Sequence, residues 1–267
     1  MQGPFIDRRT FAQRIKQLLA PVLVALAAAG KWILPALKLF GPFLKVGGTM
    51  LLSIAVYGWA YGWQFGVGFV LLIFVHELGH LIAARMMGLK VGLPVFIPFM
   101  GAVIALKEAP RNAWIEAVVG IGGPMLGGAG ALAVTALFFA TQNPFFLVLG
   151  YSGLFINLFN LIPIVPLDGG RIVSAISPWL WVVGLVIIVP YLLLHASVVT
   201  IVILFIVLTS LRRVVALFRK RSSPEMTRYF ECTPAQRWAM ALMYFALLGG
   251  MGATMGFVHR ILGNFLG

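Results

Sequence analysis

Residues 67–87 leave the chain little conformational choice. Val67 to Val75 and Leu81 to Ala84 carry no polar side chain, and between them stand His76, Glu77, Leu78, Gly79 and His80. A bilayer-spanning helix needs roughly 20 such residues. In lipid no water satisfies the backbone, so a helix is the form this segment takes. Three ionisable groups within five residues therefore lie at membrane depth, where such groups are costly and mark function.

The rest of the chain fits the same setting. Of 267 residues 61% are hydrophobic and 10% charged, too few charges to coat a soluble domain of this size. Apolar runs near 46–63, 67–87, 113–140, 145–165, 173–193, 196–217 and 236–257 predict an all-α polytopic membrane protein with six to seven transmembrane helices. Turn residues separate them, as in Gln64-Phe65-Gly66 and Gln142-Asn143-Pro144. Val91 to Leu106, with Pro94 and Pro98, is β-branched, aromatic and punctuated by glycine, which predicts a short membrane-associated β-hairpin. It has two possible uses, an edge for an unwound substrate strand or a lid that keeps lipid out. Lys31, Lys38 and Lys45 fall on nearly one helical face, so residues 1–45 are expected to be amphipathic and interfacial. A span or a cleaved signal is the alternative there.

The net charge of +13 comes without an aromatic-interleaved basic stripe, so nucleic acid is not an expected partner. The lipid bilayer is. With the N-terminus cytoplasmic, every Lys and Arg except Arg260 falls on an inner segment of the span scheme. The expected location is the bacterial cytoplasmic membrane, as a multi-pass protein. Cys232 is the single cysteine, so no disulfide framework or Cys-based metal site is available within the chain.

On a helix His76 and His80, four apart, offer two imidazoles to one metal ion. Glu77, beside the first ligand, suits a general base toward a water that the metal activates. Chance would produce such an H-E-x-x-H run in a chain of this composition on the order of once in a thousand. Two imidazoles and a carboxylate with an open fourth position suit zinc. The carboxylate comes from a short inventory: Asp7, Glu77, Glu108, Glu116, Asp168, Glu225 and Glu231. Asp168 stands out after Pro163 and Pro166, which break the fourth run, and before Gly169-Gly170. Alone it reads equally well as a helix N-cap. The charge-derived orientation brings its end of the fourth run to the depth of His80, toward the cytoplasmic side. Glu108 and Glu116 flank the hairpin and are expected to pair with Lys107 or Arg111, and His195 and His259 to be ordinary interfacial residues.

His76-Glu77-Leu78-Gly79-His80 together with Pro166-Leu167-Asp168-Gly169-Gly170-Arg171 resembles the site-2 protease family of intramembrane zinc metalloproteases. The resemblance covers roughly residues 67–175. It implies one zinc ion on His76, His80 and Asp168, Glu77 as the catalytic residue, and a membrane-spanning protein as substrate. Asn160, eight residues before Asp168, matches a family Asn held to bind the substrate backbone, with an interhelical hydrogen bond as the alternative. In the third run, Gly122-Gly123-Pro124-Met125-Leu126-Gly127-Gly128 puts glycine where the family often has Asn after its Gly-Pro. Inserted PDZ-like or CBS-like segments are not evident, as in a minimal form. The implied division is an interfacial segment at 1–45, a transmembrane protease core at 46–217, and a cytoplasmic linker with a C-terminal transmembrane helix at 218–267. Two other classes compete. A silent scaffold of the same fold has no need of Glu77, and a metal or solute transporter would string polar residues across several spans.

Overall fold

The computed structural model describes residues 44–99, 101–106, 108–194 and 223–266, with single positions at 41, 207, 208, 211, 215 and 219. The chain forms two compact units, Met1–Gly48 and Thr49–Gly267. The expected interfacial segment 1–45 lies outside the described residues except for Gly41, Leu44 and Lys45, and the run at 196–217 except for the single positions within it.

The second unit runs α1 (residues 49–61), α2 (Trp63–Met86), β1 (Val91–Ile97), β2 (Gly101–Leu106), α3 (Ala113–Thr141), α4 (Pro144–Asn160), α5 (Asp168–Ile176), α6 (Leu180–Leu194), α7 (Pro224–Tyr229) and α8 (Pro234–Leu266). Among the described residues α2, α3 and α8 are long and apolar enough to cross a membrane, while α4 and the apolar part of α6 are shorter. The architecture is thus helical with one small sheet. Of the six to seven spans expected, these three meet the length.

Local chemistry sets the boundaries. Asn112 Oδ1 accepts from the Ile115 N–H and starts α3, and Asn143 does the same for Phe145 with Pro144 in the first turn of α4. Between them Gln142 takes a left-handed conformation, φ 55°. Pro163 and Pro166 leave residues 161–167 irregular, so the run expected at 145–165 stops as a helix at Asn160. The run expected at 173–193 is two helices, not one. Ser177, forced toward extended backbone by Pro178, breaks it at φ −163°, ψ 124°.

The expected hairpin is present. β1 and β2 are antiparallel, with Ile97 opposite Gly101, Val95 opposite Val103 and an irregularity between Val91 and Pro94. Its turn needs positive φ at Phe99 (62°) and at Gly101 (89°). The hairpin lies back along the helices before it. The Phe96 and Phe99 N–H groups donate to Thr49 Oγ1 and the Tyr57 hydroxyl of α1. The Phe96 ring sits 6.1 Å from that of Phe74 on α2.

Helix α2 crosses α3 backbone to backbone. A Cβ on Gly79 would lie 2.1 Å from Gly122 O, and one on Gly122 2.6 Å from Gly79 O. Lipid supplies no hydrophobic drive between helices, so this closeness is what dispersion needs to hold them. Ala117 and Ile121 of α3, Leu154 of α4, Ile172 and Val173 of α5, and Met240, Tyr244 and Met251 of α8 form one buried cluster.

Candidate metal centre

The crossing of α2 with α3 sets the stage. One turn of α2 carries His76 and His80 on one side, with ring centroids 4.7 Å apart. The irregular segment 161–167 folds tightly under α5, since a Cβ on Gly169 would meet Leu161 O at 2.1 Å and one on Gly170 would meet Ile164 C at 2.4 Å. That delivers Asp168, at the first turn of α5, to the histidines. Its Oδ2 lies 3.2 Å from His76 Nε2 and 3.1 Å from His80 Nε2, and the two Nε2 atoms are 3.0 Å apart. All three residues are at most 8% exposed. Asp168 is not an N-cap here. Leu167 holds that position, and the carboxylate turns toward the rings instead.

The hydrogen bonds fix which ring nitrogens face the centre. The Asn157 amide nitrogen donates to Gly153 O at 2.8 Å, which turns its Oδ1 to His76 Nδ1, also at 2.8 Å. An amide oxygen only accepts, so His76 carries its proton on Nδ1 and presents a lone pair on Nε2. His80 is held alike, its Nδ1 donating to Val119 O at 2.8 Å. Two imidazole lone pairs and a carboxylate oxygen thus converge with no proton assigned between them. Three acceptors so close repel one another unless a cation joins them. A tetrahedral zinc site with bonds of about 2.0–2.1 Å has ligand atoms about 3.3 Å apart, near the separations here. The donor set fits zinc, and each histidine is anchored from behind as metal-binding imidazoles require.

Other residues shape the space. A Cβ on Gly123 would fall 2.2 Å from His80 Nε2 and 2.8 Å from His76 Nε2, so this face of α3 must be bare. A Cβ on Gly127 would fall 2.4 Å from Asn157 Oδ1. The glycine that departs from the family pattern makes room for an amide supplied by α4. Glu77, 7% exposed, stands within electrostatic reach of both histidines, Asp168 and Arg171. Asn160 is half-buried at the end of α4, and its amide donates to Ile156 O at 3.0 Å within its own helix. It does not join the three converging ligands.

Sequence reasoning passed over Asn157 and Val119, and took Gly123 only as part of the glycine-rich run of the third span. Asn157, 1% exposed in an apolar helix, carried a visible signal of its own. The expected partners of the glutamates also differ. Glu108 pairs with Lys90 at 3.3 Å, and Glu116, on the first turn of α3 facing α5, pairs with Arg171 at 3.8 Å.

Residues 64–144 match the family described as Peptidase family M50. That match includes His76, Glu77 and His80 and ends before Asp168. A zinc metalloprotease of Methanocaldococcus jannaschii is 35% identical over 109 residues, 39% of this chain and 31% of the relative. Two candidate zinc metalloproteases by name are similar as well. The Synechocystis protein is 33% identical over 109 residues (38% of this chain, 28% of the relative), and the Mycobacterium tuberculosis protein Rip3 is 35% identical over 137 residues (48% and 33%). The matched stretch spans about a third of the length of these relatives. The match of residues 64–144 to peptidase family M50 agrees with the resemblance to site-2 proteases.

Proposed function

We propose that this chain is an intramembrane zinc metalloendopeptidase that hydrolyses a peptide bond within or beside a transmembrane segment of another protein. One observation carries the reading. His76 Nε2 and His80 Nε2, on a helix long and apolar enough to span a bilayer, meet Asp168 Oδ2 from the first turn of α5, all three buried and within 3.2 Å of one another. A zinc ion held there would supply Lewis acidity at the scissile carbonyl and make water nucleophilic near neutral pH. Glu77 takes the proton from the water that attacks the carbonyl carbon, then passes it to the amine nitrogen as the C–N bond breaks. Asn157 and Val119 keep the histidines in the tautomer that leaves Nε2 free. Asn160 is assigned to hold the substrate backbone, and the hairpin, running beside α2 past Phe74, to accompany an extended substrate strand. The charge distribution supports an N-terminus and a centre toward the cytoplasmic side.

Glu77→Gln is expected to retain stoichiometric zinc and lose cleavage by at least about a hundredfold, in line with removal of a general base. His76→Ala is expected to lose the metal. Zinc content on purified protein and cleavage of a membrane-spanning reporter measure both. Undiminished cleavage by the zinc-loaded Glu77→Gln variant would overturn the mechanism.

A further inference from the structure

We propose that residues 223–237 form a clamp that positions Asp168 for the metal, with Tyr229, Glu116 and Arg171 as its positioning residues. The inference rests on the zinc-centre reading and extends it to a segment that no catalytic role has yet claimed.

The helix that carries Asp168 cannot position it unaided. Helix α5 has nine residues, and isolated helices shorter than about 12–15 residues are marginal. The same distant stretch of chain holds its end directly and its start through Glu116 of α3. At its start the Asp168 carboxylate is divided. Oδ2 faces the histidines, and Oδ1 lies 3.7 Å from Arg171 Nη1. Arg171 Nε lies 3.8 Å from Glu116 Oε1, and the Tyr229 hydroxyl donates to Glu116 Oε2. Tyr229, Glu116, Arg171 and Asp168 thus form a continuous polar chain from α7 to the centre. Burial, and then the Glu116 carboxylate, push the Tyr229 phenol well above its ordinary range.

At the other end Arg237 gathers carbonyls from both partners. Its Nη1 donates to Ile176 O at 2.7 Å and Ala175 O at 3.4 Å, the last carbonyls of α5. Its Nη2 and Nε donate to Phe230 O at 2.9 Å and Cys232 O at 3.3 Å. A guanidinium also answers the negative end of the helix dipole. Between the two ends, Trp181 Nε1 donates to Gly170 O at 2.7 Å while its ring meets Phe230 edge-on at 6.1 Å. The segment thus contacts the end of the ligand-bearing helix directly through Arg237, and reaches its first turn through Glu116 and Trp181. Partners behind a metal ligand typically change affinity 10–100-fold when removed.

The test measures zinc affinity by chelator competition on the full chain in detergent, for wild type, Tyr229→Phe, Glu116→Gln and the double variant. Tyr229→Phe deletes one hydroxyl and little volume. It is expected to weaken zinc about tenfold while thermal unfolding of the metal-free protein stays where it was. Glu116→Gln is expected to weaken zinc at least as much. The double variant should be no weaker than Glu116→Gln alone, because the phenol acts through the carboxylate. Affinity of Tyr229→Phe within about twofold of wild type, or losses that multiply in the double variant, overturns the clamp. A wild-type chain that binds no zinc overturns the metal-centre reading and the clamp together, so the two failures are distinguishable.

Discussion

At the scale of single residues, the centre depends as much on what is absent as on what is present. Gly123 has no side chain where a Cβ would sit 2.2 Å from His80 Nε2. Gly123→Ala is therefore expected to abolish zinc binding although every ligand remains, because the methyl carbon occupies the space in front of both lone pairs. Gly249→Ala, on α8 where nothing lies within 4 Å of the added carbon, is the control and should keep full zinc content. It should also gain helix stability of about 0.5–1 kcal/mol. Metal analysis and thermal unfolding of the two variants separate a site effect from a general one. Zinc retained by Gly123→Ala would mean that the helices part there without loss. Asn157 supplies the complementary case. Asn157→Leu keeps size but removes the acceptor that holds His76 Nδ1–H, and the ring is then free to present the wrong nitrogen. Zinc affinity should fall about 10–100-fold while His76 and His80 remain in place. An unchanged affinity would show that the α2–α3 packing alone fixes the ring.

At the scale of elements, much was legible in the chain and some was not, for identifiable reasons. The H-E-x-x-H turn, the break at Gln142-Asn143-Pro144, the proline break after Asn160 and the Val91–Leu106 hairpin all follow from local chemistry, and local chemistry is what a sequence displays. The split of the 173–193 run was hidden because a long apolar average outweighed one Ser-Pro pair. The choice of Asn160 over Asn157 shows the deeper limit. Three residues apart on a helix means about 60° in direction, and only the α3–α4 packing reveals which amide meets His76. The α1 face toward the hairpin poses the same question. Thr49, Ser53 and Tyr57 share it at intervals of four, and Thr49 and Tyr57 receive the Phe96 and Phe99 amides. Ser53, 2% exposed between them, has no hydrogen-bond partner among the described residues. Tyr57→Phe removes the acceptor of the part-buried Phe99 N–H and should cost about 0.5–1.5 kcal/mol, whereas Ser53→Ala removes an unsatisfied hydroxyl and should cost nothing or stabilise. Thermal unfolding in detergent compares them. Equal losses in both variants would show that Ser53 has a partner in the folded protein.

At the scale of the whole molecule, the charge pattern and the metal centre bear on different questions, the side of the membrane and the relative depth of the ligands. The centre fixes only relative depth, because His80 and Asp168 must meet. The charges argue for a side, and the proposed orientation puts every Lys and Arg but Arg260 on inner segments. That orientation puts the α3–α4 turn outside and α7 inside, so single cysteines at Gln142 and Glu225, both exposed, should label from opposite faces. A membrane-impermeant thiol reagent applied to intact cells should reach the cysteine of Gln142→Cys and spare that of Glu225→Cys until the membrane is opened. The native thiol sets the background. Cys232 is half-buried, and burial raises its pKa above the ordinary thiol value, more than Arg237 lowers it. The thiolate is the reactive form, so at neutral pH Cys232 reacts more slowly than an exposed cysteine and gains reactivity only as pH rises through that raised value. Labelling near pH 7 therefore reads the introduced cysteine, and a Cys232→Ser background removes what remains. Reaction of both introduced cysteines from the same face would reverse the charge argument. It would leave the ligand geometry untouched, because His76, His80 and Asp168 converge whichever way the chain is inserted.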